Sequence, residues 1–327
     1  MLWAYRLGKQ IFSDYSSKFS RQDFTHPQLF ACLVLREHQK KSYRGVEALL
    51  RDCPQWCAAI GMKKVPDHNT LCRASAHLLR SERVRRMLDK MIQWAAKMRM
   101  LGLSIRPLAL DSSMYESHHV SRHYERRRAQ SRSKHNTPPK SRRNVTVRRL
   151  PKLAVAVDTR SHLVLSTWVG TGLGSDSPHF EPLLFHAWRR VPNRYFKVVA
   201  DGGYDAEHNH LLARQDMGLR SIMPATIGRA PASDDRIRTR WRRRMRKLLA
   251  GKPSRRRCGY TQRWQAETVN SMMKRNLGSA LRGRTDASRS RDLQLKVIVH
   301  NLMIFRRSER IETEQDADEL KGEELRC

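Results

Sequence analysis

Residues 260–274 have the sequence YTQRWQAETVNSMMK, which carries two stripes of side chains at helical spacing. Four polar residues lie three, four and seven positions apart: Tyr260, Arg263, Glu267 and Lys274. In an α-helix they would share an arc of about 60°. Four apolar residues form a second stripe about 100° away: Ala266, Val269, Met273 and Leu277. The pattern predicts one continuous helix that packs its apolar stripe against a sheet and presents a row of basic and acidic side chains.

The sheet is predicted from the preceding part of the chain, where the apolar period changes near residue 104. Five short apolar runs have the length of strands: 105–110, 153–158, 163–169, 196–200 and 219–224. The turn-rich junction at 158–161 predicts that the second and third runs form a hairpin. Two helices are predicted between the later runs, at 178–188 and 207–215. This order predicts an α/β fold, a mixed sheet with helices on its faces.

The first part of the chain is predicted to be helical. Residues 28–38 and 80–100 are apolar at helical spacing, and helices are expected to start after Ser42 and after Asp67. We divide the chain into an N-terminal helical domain at 1–103, a catalytic domain at 104–308 and an acidic tail at 309–327. The helical domain is interpreted as a DNA-binding or assembly domain, with a helical cap that does not touch nucleic acid as the alternative.

The charge balance points to a polyanionic partner. The chain has 327 residues, 65 Lys and Arg against 31 Asp and Glu, and a net charge of +34. Two basic segments, 122–149 and 235–257, are predicted to contact phosphates and to become ordered on DNA, although solvated loops are the alternative. No apolar run is long enough to cross a bilayer and no secretory signal is evident. We therefore expect a cytoplasmic protein that associates with the nucleoid.

Three carboxylates are the candidate catalytic residues. Asp111 and Asp201 each follow a predicted strand, so both are expected at the rim of the sheet, and Glu267 lies on the helix described above. Taken singly, an Asp after a strand is commonly a turn or cap residue. Together, three hard oxygen ligands suit Mg²⁺, and two such ions suit phosphodiester chemistry.

Three motifs resemble those of the DDE transposases of bacterial insertion sequences, the IS4/IS5-like group. They are Ala109-Leu110-Asp111-Ser112, Ala200-Asp201-Gly202-Gly203-Tyr204-Asp205 and the row from Tyr260 to Lys274. Residues 65–71 (VPDHNTL) are similar to a motif of that group's N-terminal helical domain.

The resemblance implies an RNase H-like catalytic domain with Asp111, Asp201 and Glu267 as catalytic residues and metal ligands. Two Mg²⁺ ions, for which Mn²⁺ can substitute, are the implied cofactors. Tyr260, Arg263 and Lys274 match positions that engage DNA near the cleaved end, and the neighbouring Arg275 is also expected to bind DNA.

The implied partners are double-stranded DNA, both the terminal inverted repeats of a transposon and its target. The active complex is expected to be at least a homodimer, because it must pair two ends. Two alternatives stay open: a degenerate transposase that binds DNA without cutting it, and an RNase H-like nuclease that acts on RNA or on RNA–DNA hybrids.

Four further side chains have predicted roles. Trp241 is the candidate for stacking on an unpaired base, whereas Trp264 is expected to pack in the core. Asp176 and His179 follow the predicted hairpin, and we expect them to lie at the surface or to contact the DNA backbone.

Overall fold

The computed structural model describes residues 1–19, 21–101, 107–117, 150–172, 174–226 and 237–324, with side chains through residue 308. The chain forms two compact units. Unit 1 comprises residues 1–102, 160–163 and 295–327, and unit 2 comprises residues 103–159 and 164–294. No helix in these described ranges is long and apolar enough to cross a membrane.

Unit 1 is helical. Its first six helices are α1 (Leu2–Ile11), α2 (His26–His38), α3 (Tyr43–Asp52), α4 (Pro54–Ala58), α5 (His68–Leu78) and α6 (Ser81–Lys97). Side chains of three residues cap helix starts by accepting backbone N–H groups: Thr25, Ser42 and Asp67. The predicted starts after Ser42 and Asp67 are therefore confirmed.

Unit 1 also contains a buried cluster of charged side chains. Lys296 donates a hydrogen bond to Glu37 Oε1 at 2.6 Å, and Arg36 donates to Glu37 Oε2 at 3.1 Å. All three residues are at most 2 % exposed. Because a buried charge is costly unless it is paired, the two cations stabilise the one carboxylate between them.

Unit 2 is built on a mixed β-sheet. Its seven described strands are β1 (Leu108–Met114), β2 (Glu116–Ser117), β3 (Pro151–Asp158), β4 (Val164–Thr171), β5 (Lys197–Ala200), β6 (Arg220–Ile222) and β7 (Ala280–Leu281). Five of them form one sheet in the order β4-β3-β1-β5-β6, and β2 pairs with β7. β3 is antiparallel to both β1 and β4, which confirms the hairpin, whereas β1, β5 and β6 are parallel.

Helices cover both faces of this sheet. The chain continues through α7 (Phe180–Arg190), α8 (Glu207–Leu211), α9 (Arg240–Leu248), α10 (Lys252–Cys258), α11 (Trp264–Leu277) and α12 (Asp286–Glu324), the last of which extends into unit 1. α7 contacts β3 and β4, and α11 contacts β1 and β3. Successive residues of a strand point to opposite faces. Ser166 of β4 donates a hydrogen bond to α7, and Asp111 of β1 accepts one from α11. The strand register places Ser166 and Asp111 on opposite faces, so α7 and α11 cover opposite faces of the sheet. A five-stranded mixed sheet flanked by helices is consistent with an RNase H-like fold.

The predicted position of Asp111 was wrong. It does not follow a strand but lies in the middle of β1, paired with Val155 of β3. The strand continues through Ser112, Ser113 and Met114 because β3 supplies backbone partners as far as Lys152. Asp201, in contrast, directly follows β5, as predicted.

The helix predicted from Tyr260 to Lys274 is also not one continuous α-helix. Residues 260–263 form a 3₁₀ turn, and the α-helix begins at Trp264. Gly259, with φ of 79°, ends α10 in the left-handed conformation, so the chain re-enters a helix through a tight turn. The apolar stripe is confirmed, since Ala266, Val269, Met273 and Leu277 are buried.

The second basic segment differs from the prediction that it becomes ordered on DNA. Its described part already forms α9 and α10. Glu207 accepts the backbone N–H groups of Trp241 and Arg242 at the start of α9. The buried carboxylate of Asp205 pairs with the Arg242 side chain at 2.9 Å. The first basic segment, 122–149, lies outside the described residues.

Candidate active site

The carboxylate of Asp111 lies on β1, and that of Asp201 directly follows β5, the neighbouring parallel strand. β1 and β5 pair with Leu110 opposite Ala200, and in both segments the next residue along the chain is the aspartate. Adjacent strands are about 4.8 Å apart. Two sequence positions that are far apart in the chain are thereby brought side by side.

Asp111 is buried and hydrogen-bonded. It is 9 % exposed, and its Oδ2 accepts a hydrogen bond from Asn270 Nδ2 at 2.9 Å. Burial, followed by the negative charges of Asp201 and Glu267, raises the pKa of Asp111 to about 6, against the lowering effect of the Asn270 hydrogen bond. Because the charges of Asp201 and Glu267 both act on the pKa of Asp111, these three predicted residues share one electrostatic environment.

Asp201 is held by the backbone that follows it. Its Oδ1 accepts the N–H of Gly203 at 2.8 Å. Burial raises the pKa of Asp201, and the charge of Asp176 acts in the same direction, whereas the Gly203 hydrogen bond and the cations Arg263 and Lys152 act to lower it. The site is thus a balance of opposite charges around a partly desolvated carboxylate.

Glu267 lies in the first turn of α11 and is ion-paired. Its Oε1 is 2.5 Å from Arg263 Nη1, and its side chain is 52 % exposed. Asn270, one turn further along the same helix, is the donor to Asp111. One helix therefore supplies both a carboxylate and the group that orients another carboxylate.

The donor set fits a hard divalent cation in its chemistry. Among the described residues, no three His, Cys, Asp or Glu side chains lie close enough together to hold a metal ion, and Glu267 is engaged by Arg263. Asp111, Asp201 and Glu267 nevertheless offer only oxygen donors, and the buried Oδ1 of Asn270 has no hydrogen-bond partner. Positive charge here would offset the repulsion that raises the pKa of Asp111.

A fourth carboxylate, Asp176, belongs to the same region, which corrects its predicted place at the surface. Its side chain is 13 % exposed. It ion-pairs with the buried Lys152 of β3 and accepts a hydrogen bond from Ser112 Oγ at 2.8 Å. Burial and then the charges of Asp176, Asp111 and Asp201 raise the pKa of Tyr204. The sequence carried no signal for this cluster beyond an Asp before a Ser-Pro turn.

The predicted DNA-contacting residues are distributed along the helical segment. Tyr260 and Arg263 lie near Asp201, whose charge acts on the pKa of Tyr260 after the larger effect of burial. The Lys274 ammonium lies 5.3 Å from the centre of the Tyr115 ring. Arg275 is exposed on the same helix. The role of each in DNA binding stays a prediction.

The two tryptophans differ from one another in exposure. Trp264, expected in the core, is 60 % exposed, because two residues before Ala266 on α11 it lies about 160° round the helix from the apolar stripe. Trp241 lies on α9 with its ring near the guanidinium groups of three arginines: Arg214 at 4.1 Å, Arg240 at 4.9 Å and Arg244 at 5.5 Å. These contacts are cation–π interactions.

Comparison with known protein families agrees with this geometry. The family model described as a transposase DDE domain matches residues 103–302, more than half of the chain. The chain belongs to the DDE transposase family. Curated protein sequences gave no match.

Family membership settles the broad activity. This chain is a DNA transposase, an enzyme that acts in transposition and binds DNA, and neither the degenerate binding protein nor the RNase H-like nuclease is favoured. DDE transposases generally use divalent metal ions. The matched range contains Asp111, Asp201 and Glu267.

Proposed function

We propose that this transposase cleaves the ends of a transposon and joins them to target DNA, with Asp111, Asp201 and Glu267 as its catalytic residues. The observation that carries the proposal is the side-by-side placement of Asp111, on β1, and Asp201, directly after β5. The charge of Glu267 also acts on Asp111. Two Mg²⁺ ions are the proposed cofactors, with Mn²⁺ as a substitute.

The reaction consists of two phosphodiester exchanges. In the first, water displaces the 3′-oxygen at the transposon end, and the released strand ends in a 3′-hydroxyl. In the second, that hydroxyl attacks a phosphodiester of the target and displaces its 3′-oxygen. The bound ions would supply positive charge for the attacking and leaving oxygens.

The chain's own side chains prepare this chemistry. Asn270 orients Asp111 through a 2.9 Å hydrogen bond, and the Gly203 N–H fixes Asp201 at 2.8 Å. Arg263 holds Glu267 in an ion pair. When a phosphate enters, Arg263 can turn to it and release Glu267, because a guanidinium binds phosphate as well as carboxylate.

DNA contacts are proposed along the adjoining basic helices. Tyr260 positions the strand, and Arg263, Lys274 and Arg275 neutralise its phosphates, while Trp241 is the candidate for stacking on a base. A groove of about 710 Å³ along α10 has a strongly basic lining: Lys252, Pro253, Arg255, Arg256, Arg257 and Thr261. Cationic side chains in such a groove suit the phosphate backbone, so binding should weaken steeply with salt.

The finer assignments follow from the same proposal. We place the chain in the IS4/IS5-like group, with terminal inverted repeats as its DNA sites. Pairing two ends requires at least a homodimer. Residues 1–103 are proposed to bind DNA or to support assembly, and their helical fold is compatible with either role.

The test is the variant Glu267→Gln, with Glu181→Gln as its control. Glu181 is an exposed glutamate in the first turn of α7, so the control makes the same chemical change on another helix of unit 2. With end-containing DNA and Mg²⁺, we expect Glu267→Gln to lose strand cleavage and strand joining while it still binds the ends. The control should cleave like the wild type. Cleavage by Glu267→Gln would exclude Glu267 as a catalytic residue.

A further inference from the structure

The geometry points to a charge-balancing pair, Asp176 and Lys152, that sets the cation affinity of the carboxylate site from the side opposite α11. This inference rests on the proposed function, because it concerns the cations that Asp111 and Asp201 would bind. Neither residue belongs to the three catalytic carboxylates. Both act through Asp201 and are therefore positioning residues.

Gly203 shows how closely Asp176 approaches Asp201. A Cβ atom built on Gly203 would lie 3.0 Å from Asp201 Oδ1 and 3.1 Å from Asp176 Oδ2. Both carboxylates therefore face one point, where a methyl group would make tight contacts with each of them. The charge of Asp176 accordingly acts on Asp201.

Lys152 supplies the opposite charge at the same place. Its side chain is 7 % exposed, and its ammonium contacts Asp176 Oδ1 and donates to the Gly174 carbonyl at 2.9 Å. Its cation acts on Asp201 in the direction opposite to that of Asp176. β3 holds Lys152 across from Met114, at the end of the strand that carries Asp111.

The pair is joined to β1 by a hydroxyl. Ser112 Oγ donates to Asp176 Oδ2 at 2.8 Å. Ser112 neighbours Asp111 but points to the other face of the sheet. The pair thus approaches Asp201 from one face while Glu267 and Asn270 approach Asp111 from the other.

The Asp176–Lys152 ion pair should affect cation binding in a way that packing alone would not. A buried ion pair is often no more stabilising than well-packed apolar residues of the same size, so its presence beside a cation site favours an electrostatic role. With both partners present, their charges act on Asp201 in opposite directions. Loss of Asp176 leaves an excess positive charge that repels a cation, and loss of Lys152 leaves an excess negative charge that attracts one.

The experiment measures Mn²⁺ binding to the full-length protein by the electron paramagnetic resonance signal of free Mn²⁺. We expect Asp176→Asn to weaken Mn²⁺ binding by roughly tenfold and Lys152→Met to tighten it by roughly tenfold. The double variant should return to within about threefold of the wild type. The Mn²⁺ concentration that gives half-maximal end cleavage should rise in Asp176→Asn and fall in Lys152→Met.

Asp158→Asn is the matched control. Asp158 is a buried carboxylate at the other end of β3 and accepts a hydrogen bond from the Tyr195 hydroxyl at 2.9 Å. This variant should leave Mn²⁺ affinity unchanged, even if it lowers stability. Near-UV and far-UV circular dichroism and metal-free DNA binding verify that each variant is folded.

The outcomes separate this inference from the proposed function. Weaker Mn²⁺ binding in both single variants, or unchanged binding in both, would overturn the charge-balance inference. If a single variant does not fold, the double variant decides: an Mn²⁺ affinity that differs from the wild-type value by more than about threefold would also overturn the inference. A wild-type protein without metal-dependent end cleavage would instead contradict the proposed function. Opposite shifts in the two single variants are the result that supports the pair.

Discussion

Asn270 donates its side-chain N–H to Asp111 across the boundary between helix α11 and strand β1, at 2.9 Å. Asn270 is 4 % exposed, so its amide is largely shielded from solvent. The helix that carries Glu267 thus also fixes the orientation of a carboxylate on the central strand. This bond connects the two halves of the site.

Removing this amide should reduce cleavage without abolishing DNA binding. We expect Asn270→Ala to lower the rate of end cleavage by roughly 10- to 100-fold, because groups that orient metal-binding side chains have effects of this size. The measurement is cleavage of end-containing DNA with Mg²⁺. Asn276→Ala, an exposed change on the same helix, serves as the control. Equal rates for the two variants would contradict an orienting role for Asn270.

The raised pKa of Asp111 predicts how stability depends on pH in metal-free protein. The pKa rises from 3.8 to about 6 on folding, so between these values the folded state binds more protons than the unfolded state. The free energy of unfolding should therefore fall as the pH rises from about 4 to about 6.

Asp111→Asn removes this group, so it should be more stable than the wild type by about 1–3 kcal/mol at pH 7. The difference should vanish near pH 4, where Asp111 is protonated in the folded protein. Urea unfolding in a chelating buffer at several pH values measures this. Parallel stability curves for the two proteins would show that Asp111 is not desolvated in the folded state.

A side chain at position 203 should disturb Asp201. In Gly203→Ala the new methyl group would contact Asp201 Oδ1 and Asp176 Oδ2 at about 3 Å, so one carboxylate must move. A shift of a few tenths of an ångström in a proposed catalytic carboxylate is smaller than the 1 Å misplacement that costs about 100-fold, so we expect end cleavage to slow by roughly tenfold. Gly174→Ala is the control, since no atom lies within 4 Å of its Cβ position. Full activity in Gly203→Ala would place Asp201 further from the reaction than proposed.

The exposed ring of Trp264 is suited to contact DNA. We expect Trp264→Ala to change the free energy of unfolding by less than about 0.5 kcal/mol. It should weaken binding to DNA with an unpaired end by about 1–3 kcal/mol, because an aromatic side chain can stack on an unstacked base. Fluorescence anisotropy with paired and unpaired ends measures this. If only Trp241→Ala affects unpaired ends, Trp241 is the stacking residue and Trp264 is not.

The sequence predicted those elements whose pattern is local. The hairpin of β3 and β4, the buried stripe of α11 and the position of Asp201 after β5 all follow from apolar period and turn residues. Asp111 was misplaced because its strand continues through polar residues, held by pairing with β3 rather than by their own β-propensity.

The other differences arise from tertiary structure. The 3₁₀ turn at Tyr260–Arg263 depends on the left-handed Gly259 that ends α10, which no side-chain period reveals. Asp176 reaches the site because Lys152 and Ser112, on two neighbouring strands, both bind it. Contacts between residues so distant in the chain leave no trace in the spacing of either segment.

Strand β5 holds the polypeptide at two points. Asp201 follows its last residue, and Lys197, its first, donates a hydrogen bond to the carbonyl of Cys258 at 2.7 Å, where α10 ends just before Tyr260. The segment between Asp201 and Cys258 therefore begins and ends at β5, before α11 begins. Because both ends of the intervening segment are held at β5, changes of length in its loops need not alter the spacing of the proposed catalytic carboxylates.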